Sequence, residues 1–185
     1  MGAGKSFTSC ILREYGYVHF DVDKIAKGLI DKSFECKNKL KNFFGEDILD
    51  SDLNIDRKIL GLRAFSNIES LLNLGLIVNP YIKIEIEKLI FETEGKIIID
   101  AATLFESGLD EFCKYKIYVC ASSEIRCKRI IKRDKISKGE AMQRIKSQKE
   151  EIFFNKKYDF ILNGNLDEKA ILRKISEMIT EIESI

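Results

Sequence analysis

Short apolar runs alternate along the chain with longer segments in which apolar residues recur every three or four positions. The apolar runs predict β-strands at 17–20, 96–99, 116–120 and 158–162. The three- and four-residue spacing predicts helices at 6–15, 22–29, 56–65, 66–74, 81–92, 122–132, 140–149 and from about 165 to 183. Ser137 with Glu140 has the spacing of a capping box, which predicts a helix start there, and Asn165 with Glu168 could open the last helix. Because parallel strands joined through helices form right-handed crossovers, we expect an α/β fold with a parallel sheet.

Two long segments do not fit a simple alternation of strands and helices. The stretch 24–94 is helical throughout and too long for a crossover, so it predicts a helical insertion at one edge of the sheet. The stretch 126–149 holds ten Lys or Arg against two acidic residues, a net charge of +8 in a chain whose total is +1. It is either a solvated helical face or a phosphate-binding lid. We predict a single domain with a core of 1–23, 95–125 and 155–185, a helical insertion of 24–94 and a lid of 126–154.

Composition narrows the class of protein. The 185 residues are 45% hydrophobic, which is enough apolar material for a core and too much for a disordered chain. Near-neutral net charge argues against nucleic-acid binding, and no apolar run approaches the roughly 18 residues of a membrane span. The five cysteines form no C-x-x-C pair, so no zinc site is expected, and the single histidine, His19, is predicted to be a strand or core-edge residue. These features favour a cytoplasmic protein.

The N-terminus carries the first candidate for chemistry. It matches the second half of the phosphate-binding motif G-x-x-x-x-G-K-[ST] at Gly2, Gly4, Lys5 and Ser6. Glycines let several backbone N–H groups face one phosphate, and the helix that follows adds its positive end. Lys5 adds a charge at the β- and γ-phosphates, and the Ser6 hydroxyl can bind Mg²⁺. Taken alone, the segment fits an ordinary glycine-rich N-terminus equally well.

Two carboxylates follow the first predicted strand. Asp21 and Asp23 come directly after the run 17–20, and ligands bind at the carboxyl ends of parallel strands. One carboxylate there could accept the proton of a substrate hydroxyl, while the other holds a metal or caps the next helix. We predict Asp21 as the base and Asp23 as the helix cap. A D-x-D motif also binds metal in some glycosyltransferases, but those enzymes have no use for a phosphate loop.

Another carboxylate, Asp100, closes the predicted strand 96–99. In that position it could bind Mg²⁺ through water. In the segment that follows, Leu104 and Phe105 are expected to pack, and Glu106 either orients a substrate group or caps a turn.

The basic stretch and the last strand supply further candidates. Arg129 and Arg133 are four residues apart and share one helical face. Two guanidinium groups on one face suit the spread charge of a transferring phosphoryl group. Asn163 follows the last predicted strand, where it either faces a nucleobase or forms a plain strand-to-helix turn.

Taken in order, these segments resemble the dephospho-CoA kinase family over essentially the whole chain. The matching motifs are G-A-G-K-S at 2–6, D-V-D at 21–23, F-G at 44–45, D-R-K-x-L at 56–60, D-A-A-T-L-F-E-S-G at 100–108, R-I-I-K-R-D at 129–134, R-I-x-x-Q at 144–148 and N-G at 163–164. No single motif is decisive, but their order and spacing together are specific.

The resemblance implies a P-loop NTPase-like parallel sheet flanked by helices, with a helical CoA-binding insertion and a helical lid. It implies transfer of the γ-phosphoryl group of ATP to the 3′-hydroxyl of dephospho-CoA with Mg²⁺. The implied catalytic residues are Asp21, Lys5, Arg129 and Arg133, and the implied metal ligands are Ser6 and Asp100. The implied ATP-binding residues are Gly2, Ala3, Gly4, Lys5, Ser6, Phe7 and Asn163. The implied substrate-binding residues are Asp21, Asn79, Leu104, Phe105, Glu106 and Arg144.

The chain departs from the family pattern at several positions. Asn79 stands where the family usually has His, Ala102 replaces a Pro, and Phe7 replaces a Thr. The first glycine of the phosphate motif and the strand before it would precede Met1, so we expect a native product that begins about ten residues earlier. The alternatives are another small-molecule P-loop kinase, for nucleotides or shikimate, and an inactive truncated fragment that binds nucleotide. The oligomeric state is open.

Overall fold

The structure is a computed structural model, and it describes residues 1–146 and 158–184. The helices in these ranges are α1 (Lys5–Glu14), α2 (Val22–Lys32), α3 (Phe34–Phe44), α4 (Arg57–Ala64), α5 (Ile68–Phe91), α6 (Ser123–Asp134), α7 (Lys138–Lys146) and α8 (Glu168–Glu183). The strands are β1 (Val18–Asp21), β2 (Ile97–Asp100), β3 (Ile117–Cys120) and β4 (Phe160–Asn163). Short 3₁₀ turns lie at Glu46–Ile48 and Leu109–Phe112.

The strands pair in parallel, as the alternation of strands and helices predicted. β1 pairs with β2 in a register that places Asp21 opposite Asp100. β3 pairs with β4, and Cys120 lies opposite Asn163. Among the described residues each pair forms its own two-stranded sheet. The predicted α/β class, with parallel strands flanked by helices, is confirmed.

The chain divides into two compact units. One, here called the terminal unit, consists of Met1–Tyr17 and Cys113–Ile185, so it combines both ends of the chain. The other, the central unit, is the continuous segment Val18–Phe112. The terminal unit contains α1, α6, α7, α8 and the β3–β4 sheet, and the central unit contains α2 to α5 and the β1–β2 sheet.

The core of the central unit forms where α2 and α3 pack against α5. Leu40 of α3 and Ile86 of α5 are fully buried there. The helix α3 was not predicted, although Ser33 caps it by accepting a hydrogen bond from Cys36 N at 3.2 Å. The predicted helices 66–74 and 81–92 are one helix, α5, which continues through Pro80. A proline inside a helix costs about 3 kcal/mol, and the apolar face that α5 buries offsets this.

In the terminal unit α6 and α7 pack through a small cluster that includes Cys127, Ile130 and Ile145. The predicted capping box at the start of α7 is confirmed, because Glu140 N donates to Ser137 Oγ at 3.2 Å and Ser137 N donates to Glu140 Oε2 at 2.9 Å. The end of the predicted helix 140–149, together with Gln148 of the resemblance, lies outside the described residues.

The cap of the last helix differs from the predicted one. Asp167 caps α8 by accepting a hydrogen bond from Ala170 N at 2.9 Å, whereas Asn165 was expected to do so. Asn165 instead accepts a hydrogen bond from Ser122 N at 2.8 Å. It therefore ties the turn after β4 to the start of α6.

Candidate active site

The glycine loop, residues 1–4, leads directly into the N-terminus of α1. Gly2 and Gly4 have positive φ angles of 73° and 116°, a backbone conformation that favours glycine. No side chain caps α1, and its first turn holds no acidic residue. Lys5 begins the helix and is partly buried, while Ser6 beside it is exposed. A helix N-terminus with these features is suited to an anion.

The glycine loop packs closely on backbone from two other segments of the terminal unit. A Cβ atom on Gly2 would lie 2.8 Å from the carbonyl oxygen of Arg126 in α6. A Cβ atom on Gly164, in the turn after β4, would overlap the carbonyl oxygen of Ala3. Glycine is therefore required at both positions by the space available.

Arg129 of α6 joins these segments through its guanidinium group. Its Nη1 donates to the carbonyl oxygens of Gly2 at 3.3 Å and Ala3 at 3.2 Å. Its Nη2 donates to the carbonyl oxygen of Gly164 at 2.9 Å. The structure thus brings together the predicted residues of the glycine loop, α6 and the turn after β4.

A cavity of about 310 Å³ opens beside the glycine loop, within the terminal unit. Most of its wall is apolar, with Phe7, Val119, Leu162 and Ile171 among the lining residues. Its volume lies at the lower end of the range for small-molecule sites. Of the predicted residues Ala3, Gly4, Phe7, Arg129 and Asn163 line it. Sequence reasoning missed Val119, Leu162, Leu166 and Ile171, whose only signal was the apolar pattern of β3, β4 and α8.

The turn after β4 is a strand-to-helix turn, and it also borders the cavity. Asn163 Oδ1 accepts a hydrogen bond from Asn165 N at 3.0 Å, as in a plain turn. Gly164 N donates to the carbonyl oxygen of Cys120 at 2.6 Å, which fixes the turn to the end of β3. Asn163 also lines the cavity, so the turn lies at the edge of the site.

In the central unit two carboxylates lie on adjacent strands at one edge of the β1–β2 sheet. Asp21 ends β1, and Oδ1 of its side chain accepts a hydrogen bond from Lys24 N at 3.1 Å, which makes it the N-cap of α2. The prediction that Asp23 caps this helix was wrong, because β1 reaches Asp21 and Asp23 lies exposed in the first helical turn. Asp100 ends β2 and is buried, and its Oδ2 lies 3.1 Å from Nε2 of His19.

Part of the predicted substrate-binding set also meets in the central unit. Asn79 of α5 donates from Nδ2 to the carbonyl oxygen of Glu106 at 3.1 Å. Leu104 packs against the core, as expected, while the side chain of Glu106 is exposed. Ser107 closes the segment by donating to the carbonyl oxygen of Thr103 at 2.7 Å. A direct contact between α5 and the segment after β2 therefore involves two of the predicted residues.

Arg133 and Arg144 converge on one carboxylate between α6 and α7. Arg133 Nε donates to Asp134 Oδ1 at 2.6 Å, and Arg144 Nη1 donates to Asp134 Oδ2 at 2.8 Å. The hydrogen bond from Arg133 holds the pKa of the Asp134 carboxyl below its usual range. Both arginine side chains are about half exposed, at 60% and 47%. Two predicted residues of the basic stretch are therefore held near each other and remain open to solvent.

The described residues contain no group of three or more His, Cys, Asp or Glu side chains that could hold a metal ion by themselves. The predicted ligands Ser6 and Asp100 are a hydroxyl and a carboxylate, which are oxygen donors of the kind that Mg²⁺ prefers. Of the helices in the part of the chain that the structure describes, none is long and apolar enough to cross a membrane.

Comparison with known proteins gives a consistent result. The sequence model of the dephospho-CoA kinase family matches residues 1–168. Dephospho-CoA kinase of Fusobacterium nucleatum is 36% identical over 184 residues, which is 98% of this chain and 94% of that protein. The Bacillus licheniformis dephospho-CoA kinase is 30% identical over 194 residues, 99% of this chain and 94% of that protein.

Solved structures agree with the fold. A Thermus thermophilus protein superposes with a TM-score of 0.83 over 98% of this chain and 92% of that one, at 24% identity, and supports the fold alone. Dephospho-CoA kinase from Campylobacter jejuni superposes with a TM-score of 0.58 over 97% of this chain and 91% of that one, at 27% identity.

Proposed function

The chain belongs to the dephospho-CoA kinase family, and we propose how its residues contribute to the reaction of that family. It is an ATP-dependent kinase that phosphorylates the 3′-hydroxyl of dephospho-CoA to give coenzyme A and ADP. The observation that carries this conclusion is the family match over residues 1–168, which includes the glycine loop and the basic stretch. The alternative acceptors, nucleotides and shikimate, are not favoured by any of these relatives.

The phosphates of ATP are proposed to bind at the glycine loop and the first turn of α1. Gly2, Ala3, Gly4 and the backbone up to Phe7 would supply N–H donors, and Lys5 a charge at the β- and γ-phosphates. The left-handed conformations of Gly2 and Gly4 and the acid-free first turn of α1 support this proposal. Together they support the assignment of this segment as a phosphate-binding P-loop.

The adenosine end of ATP is proposed to bind in the 310 Å³ cavity. Apolar side chains such as Phe7 and Ile171 line it, and they suit the faces of a purine. The exposed Asn163 at its edge offers amide hydrogen-bonding groups to the polar edge of a base. The backbone of the turn that carries Asn163 is anchored on Cys120, which would keep this edge fixed.

Asp21 is proposed to be the general base. Its Oδ1 already accepts the backbone N–H of Lys24, which fixes the carboxylate. Its Oδ2 lies 3.5 Å from Nζ of the exposed Lys24 side chain, and this oxygen would take the proton of the acceptor hydroxyl. As that O–H bond breaks, the oxygen bonds to the γ-phosphorus and the bond from phosphorus to the leaving ADP oxygen breaks. Lys5 would balance the negative charge on the transferring group.

Mg²⁺ is proposed to bind with ATP through the oxygen of Ser6 and, through water, the carboxylate of Asp100. When bound, the ion would neutralise charge on the β- and γ-phosphates. The exposed hydroxyl of Ser6 in the first turn of α1 supports this assignment. So does the position of Asp100 at a strand end, where His19 holds its carboxylate.

Dephospho-CoA is proposed to contact Asn79, Leu104, Phe105, Glu106 and Arg144. The hydrogen bond between Asn79 and the backbone of Glu106 supports a shared role for that part of the set. Arg133 is proposed to close over the phosphates and exclude water. The guanidinium of Arg129 is held by backbone carbonyl groups, so this lid role rests on Arg133. The predicted cytoplasmic location remains a prediction.

An ADP-release assay tests the proposed function. The chain is incubated with ATP and Mg²⁺ and with dephospho-CoA, AMP or shikimate as the acceptor. We expect ADP to form rapidly with dephospho-CoA and at the background rate of ATP hydrolysis with the other two. Equal rates with all three acceptors would contradict the assignment.

A further inference from the structure

The contacts of Arg129 differ from those expected of a lid residue. One nitrogen of its guanidinium holds the carbonyl groups of Gly2 and Ala3, and the other holds the carbonyl group of Gly164. The planar guanidinium presents its donors in a fixed fork, which lets one side chain join two segments. These segments are the glycine loop and the turn after β4, which lie at opposite ends of the sequence.

The connection that Arg129 makes between the glycine loop and the turn after β4, here called the join, is close-packed on both sides. Gly164 is buried, and a Cβ atom there would lie 2.9 Å from the carbonyl oxygen of Cys120 as well as overlapping Ala3. Its φ angle is not positive, so space rather than backbone conformation requires a glycine. Gly2 is similarly confined by the backbone of Arg126. The glycine loop therefore cannot approach the turn more closely, and Arg129 prevents it from moving away.

We propose that Arg129 is a positioning residue that fixes the distance between the phosphate-binding loop and the adenosine-binding turn. The inference rests on the proposed function, since it takes the loop as the site of the phosphates and the cavity as the site of adenosine. ATP spans both regions, so it binds well only when their separation matches its own length.

A fixed distance has a specific consequence for ligands of different length. Linking two fragments increases affinity only when both can engage their sites at once. Loss of Arg129 therefore weakens the binding of ATP, which must engage both regions. It leaves the affinities of adenosine and inorganic tripolyphosphate almost unchanged, because each of them occupies one region. Loss of a residue that contacted the phosphates directly would weaken the binding of tripolyphosphate as well.

The kinetic test compares Arg129→Lys and Arg129→Ala with the unmodified chain. The KM for ATP, kcat, and the inhibition constants of adenosine and tripolyphosphate are measured for each. We expect the KM for ATP to rise about tenfold in both variants and the two inhibition constants to stay within about twofold. Lysine should not rescue the KM, because its single nitrogen cannot replace both arms of the fork.

The matched control is Lys128→Ala, which removes a cation from the same helix. Lys128 is 73% exposed and forms an ion pair with Glu124 on the same helix, so the KM for ATP of Lys128→Ala should not change. The proposal is overturned if the inhibition constant of tripolyphosphate rises in parallel with the KM, or if Arg129→Lys restores the KM.

A second variant tests the join from its other side. Gly164→Ala inserts a methyl group against Ala3 and should reproduce the rise in the KM for ATP. Gly139→Ala is its control, because a Cβ atom there meets only Ser137 Oγ at 3.9 Å. Unchanged kinetics of Gly164→Ala would contradict the proposal.

Hydrogen exchange in the absence of nucleotide separates this proposal from the proposed function. Arg129→Lys should accelerate exchange in the peptide that contains Gly164, whose N–H donates to Cys120, relative to Lys128→Ala. Unchanged exchange would overturn the positioning role even in an active kinase. Accelerated exchange in a chain that does not phosphorylate dephospho-CoA would support the join and refute the kinase assignment alone.

Discussion

Replacement of Asp21 by Asn separates the two roles of this carboxylate, which are the N-cap of α2 and the proposed general base. Oδ1 of Asp21 caps α2 through Lys24 N, and Asn is as good a cap as Asp. The cap therefore survives in Asp21→Asn, and only the negative charge at the helix N-terminus is lost, at about 0.3–1 kcal/mol. Asp21→Ala removes the cap as well, and the free energy of unfolding should fall by about 0.5–2 kcal/mol.

The effect on catalysis should be much larger than the effect on stability. A general base contributes about 10²–10⁴ to the rate, and the loose transition state of phosphoryl transfer favours the lower end of that range. We expect kcat to fall about 100-fold in both Asp21→Asn and Asp21→Ala, while the KM for ATP changes by less than about threefold. The two variants should thus have equal rates and unequal stabilities.

The assay couples ADP release to a spectrophotometric signal at saturating dephospho-CoA, and urea unfolding gives the stabilities. Asp23→Asn is the matched control, since it removes a charge from the first turn of the same helix and should leave kcat unchanged. The reasoning is refuted if Asp21→Asn retains kcat within about threefold of the parent, or if Asp23→Asn is equally damaging.

Four further results are expected. Lys5→Ala should lower kcat/KM about 100- to 1000-fold, the effect of losing one preorganised charge contact; turnover near that of the parent would contradict the P-loop assignment. Arg133→Ala should raise the ratio of ATP hydrolysis to transfer, measured as phosphate released per coenzyme A formed, because a poorly closed lid admits water. Leu40→Ala should lower the free energy of unfolding by about 2–5 kcal/mol, since Leu40 is fully buried; a urea titration that shows no loss would place it outside the core. Burial raises the pKa of the Cys36 thiol, so N-ethylmaleimide at pH 8 should modify the exposed Cys10 first. Early labelling of Cys36, detected by mass spectrometry, would contradict the burial of Cys36 in the core.

Local signals in the sequence were sufficient for most of the secondary structure. The capping box of Ser137 and Glu140 depends only on residues three apart, and the structure has it. The choice between Asp21 and Asp23 as the cap of α2 depends on where β1 ends, which pairing with β2 decides. Secondary-structure propensity does not contain that information, so the prediction that Asp23 caps α2 was wrong.

Tertiary packing explains the errors in the helical region. The helix α3 presents only a narrow apolar face, and its burial against α5 makes it stable. The predicted helices 66–74 and 81–92 left a gap that contains Pro80, but the buried positions on both sides of Pro80, Val78 and Ile82, belong to one continuous face of α5.

The candidate site was predicted as a set of residues rather than as a geometry. The glycine loop, Arg129 and Asn163 were each identified by a motif, and the structure places them around one cavity. No spacing in the sequence could show that Arg129 would bind the carbonyl groups of Gly2, Ala3 and Gly164. That contact joins segments about 160 residues apart, and only the folded chain brings them together.

The terminal unit combines both ends of the chain, so its two parts are synthesised at different times. The central unit is one continuous segment, and all of it leaves the ribosome before most of the terminal unit has been made. At about 5–20 residues per second, the ribosome takes roughly 8–30 s to proceed from Ala3 to Gly164. The glycine loop is therefore made before the central unit and lacks the turn after β4 during that time, exposed to chaperones and proteases while the central unit can already collapse. Nascent chains released before Gly164 is made would contain the glycine loop without the turn to which Arg129 connects it.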